Sequence, residues 1–161
     1  MTADQTTALR EHLLYLLRRG DAHLDFEKAV AGLPPGLRGV RPADLPHSPW
    51  RLLEHMRIAQ WDILEFYRNP KHVSPPFPEG YWPQGDAPPD PGAWDRSVEG
   101  FRADLAALLA LVADPASDLL TPFPHGQGQT LLRQALLTAD HNAYHLGQLV
   151  VVRRLLGAWE D

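Results

Sequence analysis

Hydrophobic residues recur at intervals of three and four along four segments of this chain, and no segment alternates with period two. This spacing predicts amphipathic helices. The first predicted helix runs from about Thr6 to Ala31, with Gly20 as a weak point inside it. The others run from Pro49, after a Ser48 cap, to Asn69, from Ala93 to Val112 and from about Thr130 to Leu156. Four helices of about 20–27 residues predict an all-α four-helix bundle.

A proline-rich segment, residues 70–92, separates the second predicted helix from the third. It contains eight of the sixteen prolines, together with Phe77, Tyr81 and Trp82. Proline lacks a donor N–H and restricts φ, so neither a helix nor a central strand is expected here. The aromatic residues favour an ordered crossover loop over a flexible linker between two domains. We therefore expect one long crossover between helices two and three, within a single domain of residues 1–161.

The composition narrows the classes of partner. The net charge is −5 and the 15 Lys and Arg residues do not cluster, which argues against nucleic acid as a partner. No stretch approaches the roughly 18–20 apolar residues of a membrane span, and Met1 to Arg10 is too polar for a signal peptide. A cytoplasmic protein that does not bind membranes is expected.

The chain has no cysteine. This excludes disulfides, thiolate zinc sites, iron–sulfur clusters and a cysteine nucleophile within the chain. Any metal site must therefore use histidine and carboxylate ligands.

His141 and His145 are four residues apart on the last predicted helix, so their imidazoles share one face. Ring nitrogens at this spacing can reach one ion at about 2.1 Å. An isolated pair is often just two polar residues facing solvent. Here apolar residues surround the pair, and a buried imidazole needs partners for both nitrogens, so the pair predicts metal binding. Gly147 is expected to permit close approach of a neighbouring helix.

His55 is the best candidate for a third ligand because it lies within the apolar stripe of the second helix. The alternative is a core histidine bonded to a backbone carbonyl or to Asp62. His47 and His125 are expected on loops, from which each could approach the substrate side of the site. The other histidines are expected to be bystanders, namely His12, His23 and His72.

Two common metal motifs are absent. A di-iron bundle needs paired E-x-x-H motifs, and no glutamate here precedes a histidine by three. A zinc peptidase needs a glutamate directly after the first histidine of the pair, where this chain has Asn142. Asp140 precedes His141 but points away from the face of the pair. A peptidase mechanism is therefore disfavoured.

Two segments resemble the DinB-like (DinB/YfiT) metalloenzymes. One is SPWRLLEH at residues 48–55, followed by AQWD at 59–62, and the other is the H-x3-H-x-G-Q motif at residues 141–148. The resemblance covers nearly the whole chain, including the helix order and the long crossover.

The resemblance implies a four-helix bundle, often a homodimer, with one divalent ion held by His55, His141 and His145. It also implies an activity, since characterised relatives transfer low-molecular-weight thiols such as bacillithiol or mycothiol, or catalyse a thiol-dependent isomerisation. With no cysteine in the chain, the thiol must be a cosubstrate. We expect a metal-dependent transferase that activates a small-molecule thiol for attack on an electrophile held under the crossover loop. Zn²⁺ or Ni²⁺ is the expected ion, although Fe²⁺ also suits these ligands.

Two other functions stay open. One is a hydrolase that uses metal-bound hydroxide, with His125 or Asp62 as the general base. The other is a non-catalytic stress-response bundle whose metal is structural, in which His47 or His125 completes a four-ligand shell. Asp62 is also a candidate acceptor for a ligand imidazole. Tyr144 and Gln148 lie near the metal face, in either functional or packing roles.

Overall fold

The computed structural model describes residues 2–19 and 22–159, so Gly20, the predicted weak point of the first helix, lies outside the described residues. In these ranges the regular structure is entirely helical, with no strand. The α-helices are α1 (Ala3–Arg19), α2 (Phe26–Val30), α3 (Pro49–Arg68), α4 (Ala93–Ala113) and α5 (Leu131–Leu155). Single 3-10 turns span Pro35–Leu37 and Glu79–Tyr81. The predicted all-α class is confirmed.

The ends of α3 and α5 follow from capping residues. Ser48 is extended, and its hydroxyl accepts the N–H of Arg51 at 3.2 Å, so that α3 begins at Pro49 as predicted. Thr130 caps α5 in the same way, accepting the N–H of Arg133. Asn69 ends α3 before Pro70. The predicted bounds of these helices are confirmed to within one residue.

The predicted helix from Thr6 to Ala31 is wrong, because two helices occupy this region. α1 ends at Arg19, and α2 begins only at Phe26. Asp25 is extended, and its carboxylate accepts the N–H of Lys28, which starts a separate helix. Leu24, seven residues after Leu17, still fits the stripe of α1 and so hides the break. Phe26, only two residues further on, falls on the opposite face of such a helix.

α3 and α5 pack side by side in opposite directions. The amide of Asn142 donates to Gln60, whereas Gln134, earlier in α5, donates to the carbonyl of Ile63, later in α3. Residues in the first half of α3 therefore face residues in the second half of α5. This pairing sets which side chains meet at the candidate site.

α3 and α4 pack in the same direction. Ser97 donates to Glu54, and the amide of Gln60 donates to the carbonyl of Phe101, so positions advance together along both helices. Residues 69–92 connect the end of α3 to the start of α4. α1 packs against both α4 and α5.

Buried side chains form two apolar clusters. One lies among α2, the start of α3 and α4, and the second half of α5, while the other lies among α1 and the opposite ends of the long helices. Within residues 2–19 and 22–159, no helix has both the length and the apolar character needed to cross a bilayer.

Candidate metal centre

The antiparallel contact of α3 with α5 brings three histidines together. The Nε2 atom of His55 lies 3.1 Å from the Nε2 atoms of both His141 and His145. One ring nitrogen from each residue lies within 4.8 Å of the others. His55 and His145 are buried, and His141 is partly buried.

The other nitrogens of two of these rings have defined partners. Nδ1 of His55 donates to the carbonyl of Tyr81 at 2.8 Å, and Nδ1 of His145 donates to Oε1 of Gln148 at 2.7 Å. A neutral imidazole that donates through Nδ1 carries a lone pair on Nε2. Two such lone pairs therefore face each other at 3.1 Å, an arrangement that repels unless a cation lies between them.

The distances from Nε2 of His55 to the other two rings suit a shared divalent metal ion. Two nitrogens at about 2.1 Å from one ion are roughly 3.0 Å apart for perpendicular bonds and roughly 3.4 Å apart for tetrahedral bonds. The observed 3.1 Å separations fall within this range. Nδ1 of His141 is buried and has no hydrogen-bond partner among the described residues, so its surroundings do not select a tautomer.

Burial keeps the three imidazoles neutral. It lowers the pKa of His55 from 6.5 to about 4. Burial, reinforced by the neighbouring His145 and His55, lowers the pKa of His141 to about 4 as well. Burial also lowers the pKa of His145. At neutral pH no proton is therefore available to separate the facing lone pairs, and metal ligands must be deprotonated.

The proline-rich segment forms one wall of the cluster. The indole of Trp82 stacks on His55, with ring centroids 3.8 Å apart and planes 1° apart. Its opposite face stacks on His47 at 4.1 Å. The aromatic residues of this segment predicted an ordered crossover loop, but no pattern in the sequence indicated that Tyr81 and Trp82 contact His55.

A family model described as the DinB superfamily matches residues 22–149, a range that contains all three histidines. The chain belongs to the DinB superfamily. Comparison with curated proteins and with solved structures gave no match. In this DinB-superfamily chain, the histidines that the motifs implied as ligands are the ones that the fold brings together.

Asp62 does not contact any of these three imidazoles in the DinB-superfamily chain. Its carboxylate accepts from His72 and from the hydroxyl of Tyr81, each at 2.7 Å. Asp62 lies seven residues after His55, about 10 Å further along α3. Both the predicted role of Asp62 as acceptor for a ligand imidazole and its alternative pairing with His55 are wrong. His72, expected to be a bystander, is the partner that sequence reasoning missed.

His125 lies far from the centre. Its Nε2 contacts the carbonyl of Phe66, eleven residues beyond His55 and about 16 Å further along α3. His47 is nearer but stacks on Trp82, and the described cluster of candidate ligands contains only the three histidines. Neither residue therefore stands as a fourth ligand, and neither His125 nor Asp62 is placed as a base beside the cluster.

Gln148 and Tyr144 have different positions at the centre. Gln148 accepts the hydrogen bond from Nδ1 of His145, so it contacts one of the three candidate ligands directly. Tyr144 is 64% exposed, and its ring meets the ring of His145 edge-on at 4.9 Å.

No neighbouring helix in the described part of the chain packs closely on Gly147, contrary to the expectation from the sequence. Among the described residues, and apart from its chain neighbours and the backbone of its own helix, a Cβ built on Gly147 would meet no atom within 4 Å. Gly147 instead lines an apolar cavity of about 450 Å³ between α5 and the loop before α3. Gln148 and His47 supply polar groups in its lining, and the three clustered imidazoles are not among its lining residues.

Proposed function

We propose that His55, His141 and His145 bind one divalent metal ion, Zn²⁺ or Ni²⁺. The observation that carries the proposal is the pair of Nε2 lone pairs of His55 and His145, facing each other at 3.1 Å while both Nδ1 atoms donate elsewhere. Three imidazole ligands without a fourth protein ligand are typical of a catalytic site. The acceptors on the Tyr81 carbonyl and on Gln148 are the outer partners that metal-binding histidines usually have.

We further propose that the protein is a metal-dependent transferase that uses a low-molecular-weight thiol. A divalent ion in this site supplies Lewis acidity, which lowers the pKa of a thiol that reaches it. The chain contributes neutral ligands, and the Trp82 ring excludes water from one face of His55. Because the chain has no cysteine, the sulfur belongs to a cosubstrate. The sulfur electron pair forms a bond to an electrophilic carbon of the substrate, and the bond from that carbon to its leaving group, a halide or an epoxide oxygen, breaks. The leaving group takes that electron pair, and the thiol proton passes to solvent.

We infer that the four long helices form a four-helix bundle, with residues 69–92 as the crossover between α3 and α4. The contacts of α3 with both α4 and α5, and of α1 with the same two helices, support this arrangement. Parallel neighbours such as α3 and α4 need a long connection. A single domain over residues 1–161, a homodimer and a cytoplasmic location stay predictions.

Elemental analysis tests metal binding. The purified protein should contain about one equivalent of metal after exposure to zinc or nickel, and His145→Ala should lose it. His125→Ala is the matched control, since His125 contacts the far end of α3 and Phe123 rather than the three clustered imidazoles, and it should retain the metal. Wild-type protein without metal in excess zinc would contradict the proposal, as would equal metal content in the two variants.

The thiol requirement needs a separate assay. An electrophile such as a chloroaromatic or epoxide is offered to the zinc-loaded protein with and without bacillithiol or another small thiol, and with His145→Ala as the control. Turnover that depends on the thiol and on His145 is expected. Rates that no thiol changes would refute the transferase, and consumption of the electrophile by water alone would favour hydrolysis.

A further inference from the structure

The segment between α3 and α4 contacts His55 through two consecutive residues. The backbone carbonyl of Tyr81 accepts the Nδ1 proton, and the ring of Trp82 covers one face of the imidazole. Both residues lie at the end of the 3-10 turn Glu79–Tyr81. The position of this turn therefore determines which His55 tautomer is favoured and how its ring is oriented.

A buried carboxylate ties that turn to α3. Asp62 accepts the hydroxyl proton of Tyr81 through Oδ2 and the Nε2 proton of His72 through Oδ1, both at 2.7 Å. The side chains of His72 and Asp62 are only 6% and 12% exposed. Burial and then the bond to Asp62 raise the pKa of Tyr81 to about 12, so its hydroxyl stays a donor. We call Asp62, His72 and Tyr81 the anchor.

We propose that Asp62 is a positioning residue for the metal centre, acting through the anchor on His55. Asp62 accepts a hydrogen bond from the hydroxyl of Tyr81, and the backbone carbonyl of Tyr81 accepts one from Nδ1 of His55. Nε2 of His55 is therefore directed at His141 and His145. Hydrogen bonds to buried charged groups are stronger than neutral ones, which suits a contact that must restrain a loop. The inference rests on the proposed metal binding.

The anchor has a second effect through Trp82. Because Trp82 follows Tyr81 directly, a displaced turn would also remove the indole from between His55 and His47. His55 would then gain solvent on one face. Loosening the anchor should therefore lower metal affinity even though no ligand is altered.

Tyr81→Phe is the sharpest test, since it removes the hydroxyl and retains both the ring and the carbonyl that holds His55. The dissociation constant for zinc, measured by competition with a chromophoric chelator, should rise about tenfold, the lower end of the range for outer partners of metal ligands. Asp62→Ala should have at least as large an effect. Asp62→Asn, which keeps an acceptor for the hydroxyl, should restore part of the affinity.

Matched controls separate positioning from general stability. Tyr67→Phe removes a half-buried hydroxyl near the far end of α3, beside Phe123. Asp118→Ala removes a carboxylate that ties a different loop by accepting from Leu120 and Thr121. Both controls should bind zinc as the wild type does. Equal zinc affinity in Tyr81→Phe, Asp62→Ala and the controls would overturn the proposal.

A readout without metal keeps the proposal distinct from the proposed function. Long-range ¹H–¹⁵N NMR spectra of the zinc-free protein report the tautomer of each histidine. His55 should be protonated at Nδ1 in the wild type and mixed in Tyr81→Phe. Wild-type protein that binds no zinc refutes the metal site itself. A wild type that binds zinc, with an unchanged His55 tautomer in Tyr81→Phe, refutes only the role of the anchor.

Discussion

Gln148 provides the outer contact of the metal centre that is easiest to remove, because the corresponding acceptor for His55 belongs to the main chain. Its Oε1 lies 2.7 Å from Nδ1 of His145, a residue that is only 7% exposed. Gln148→Leu keeps a similar volume but leaves this N–H without an acceptor. An unpaired buried donor costs about 1–3 kcal/mol. Outer partners of metal ligands are typically worth 10–100-fold in affinity, or roughly 1.4–2.8 kcal/mol, so the two ranges agree.

We therefore expect zinc to bind Gln148→Leu between 10 and 100 times more weakly than it binds the wild type. The assay is competition with a chromophoric chelator at fixed pH. Gln134→Leu is the matched control, since Gln134 is a buried glutamine on the same helix, and its amide donates to the carbonyl of Ile63. It lies about 16 Å from His145 along α5. Zinc affinity that is unchanged in Gln148→Leu, or lowered equally in both variants, would refute the reasoning.

Three further predictions concern stability. Gly147→Ala should stabilise the protein by up to about 1 kcal/mol, seen as a rise in Tm of about 2–4 °C, because a Cβ there meets no described atom outside its own helix and its chain neighbours. Gly100→Ala should stabilise it less, because a Cβ there lies 3.0 Å from Arg57 on α3. A loss in Gly147→Ala would show that this face is covered in solution. The free energy of unfolding of the zinc-free protein, measured by urea titration, should fall as the pH drops from 6.5 to about 4. In this range His55 and His141 bind protons in the unfolded state but stay neutral in the folded state, where their pKa values are about 4. In His141→Ala the free energy of unfolding should fall less steeply over this pH range than in the wild type. An equal fall in the two proteins would contradict the lowered pKa of His141. Zinc at a hundred times its Kd should add about 2.7 kcal/mol to the stability of the wild type and nothing to His145→Ala, as thermal unfolding can check.

The sequence by itself predicted the local features of this protein, namely the bounds of the long helices α3 and α5 and the shared face of two histidines. α3 begins directly after Ser48, which the sequence predicted as its cap, and α5 begins after Thr130, close to the predicted start. The spacing of His141 and His145 places two rings on one face of any helix. The break between α1 and α2 was missed although it is local, because Leu24 continues the hydrophobic period of α1 up to the capping residue Asp25.

Tertiary structure alone decided which groups surround the three imidazoles. Tyr81 meets His55 from 26 residues away, and His145 meets it from 90 residues away. Such contacts depend on the path of the whole chain, above all of residues 69–92, where prolines suppress any period that could be interpreted. The same path also explains why Asp62, expected to contact an imidazole of the site, instead binds His72 and Tyr81 of the loop. A helical period predicts which face is buried, but the neighbour on that face is chosen by the packing of helices that are distant in sequence.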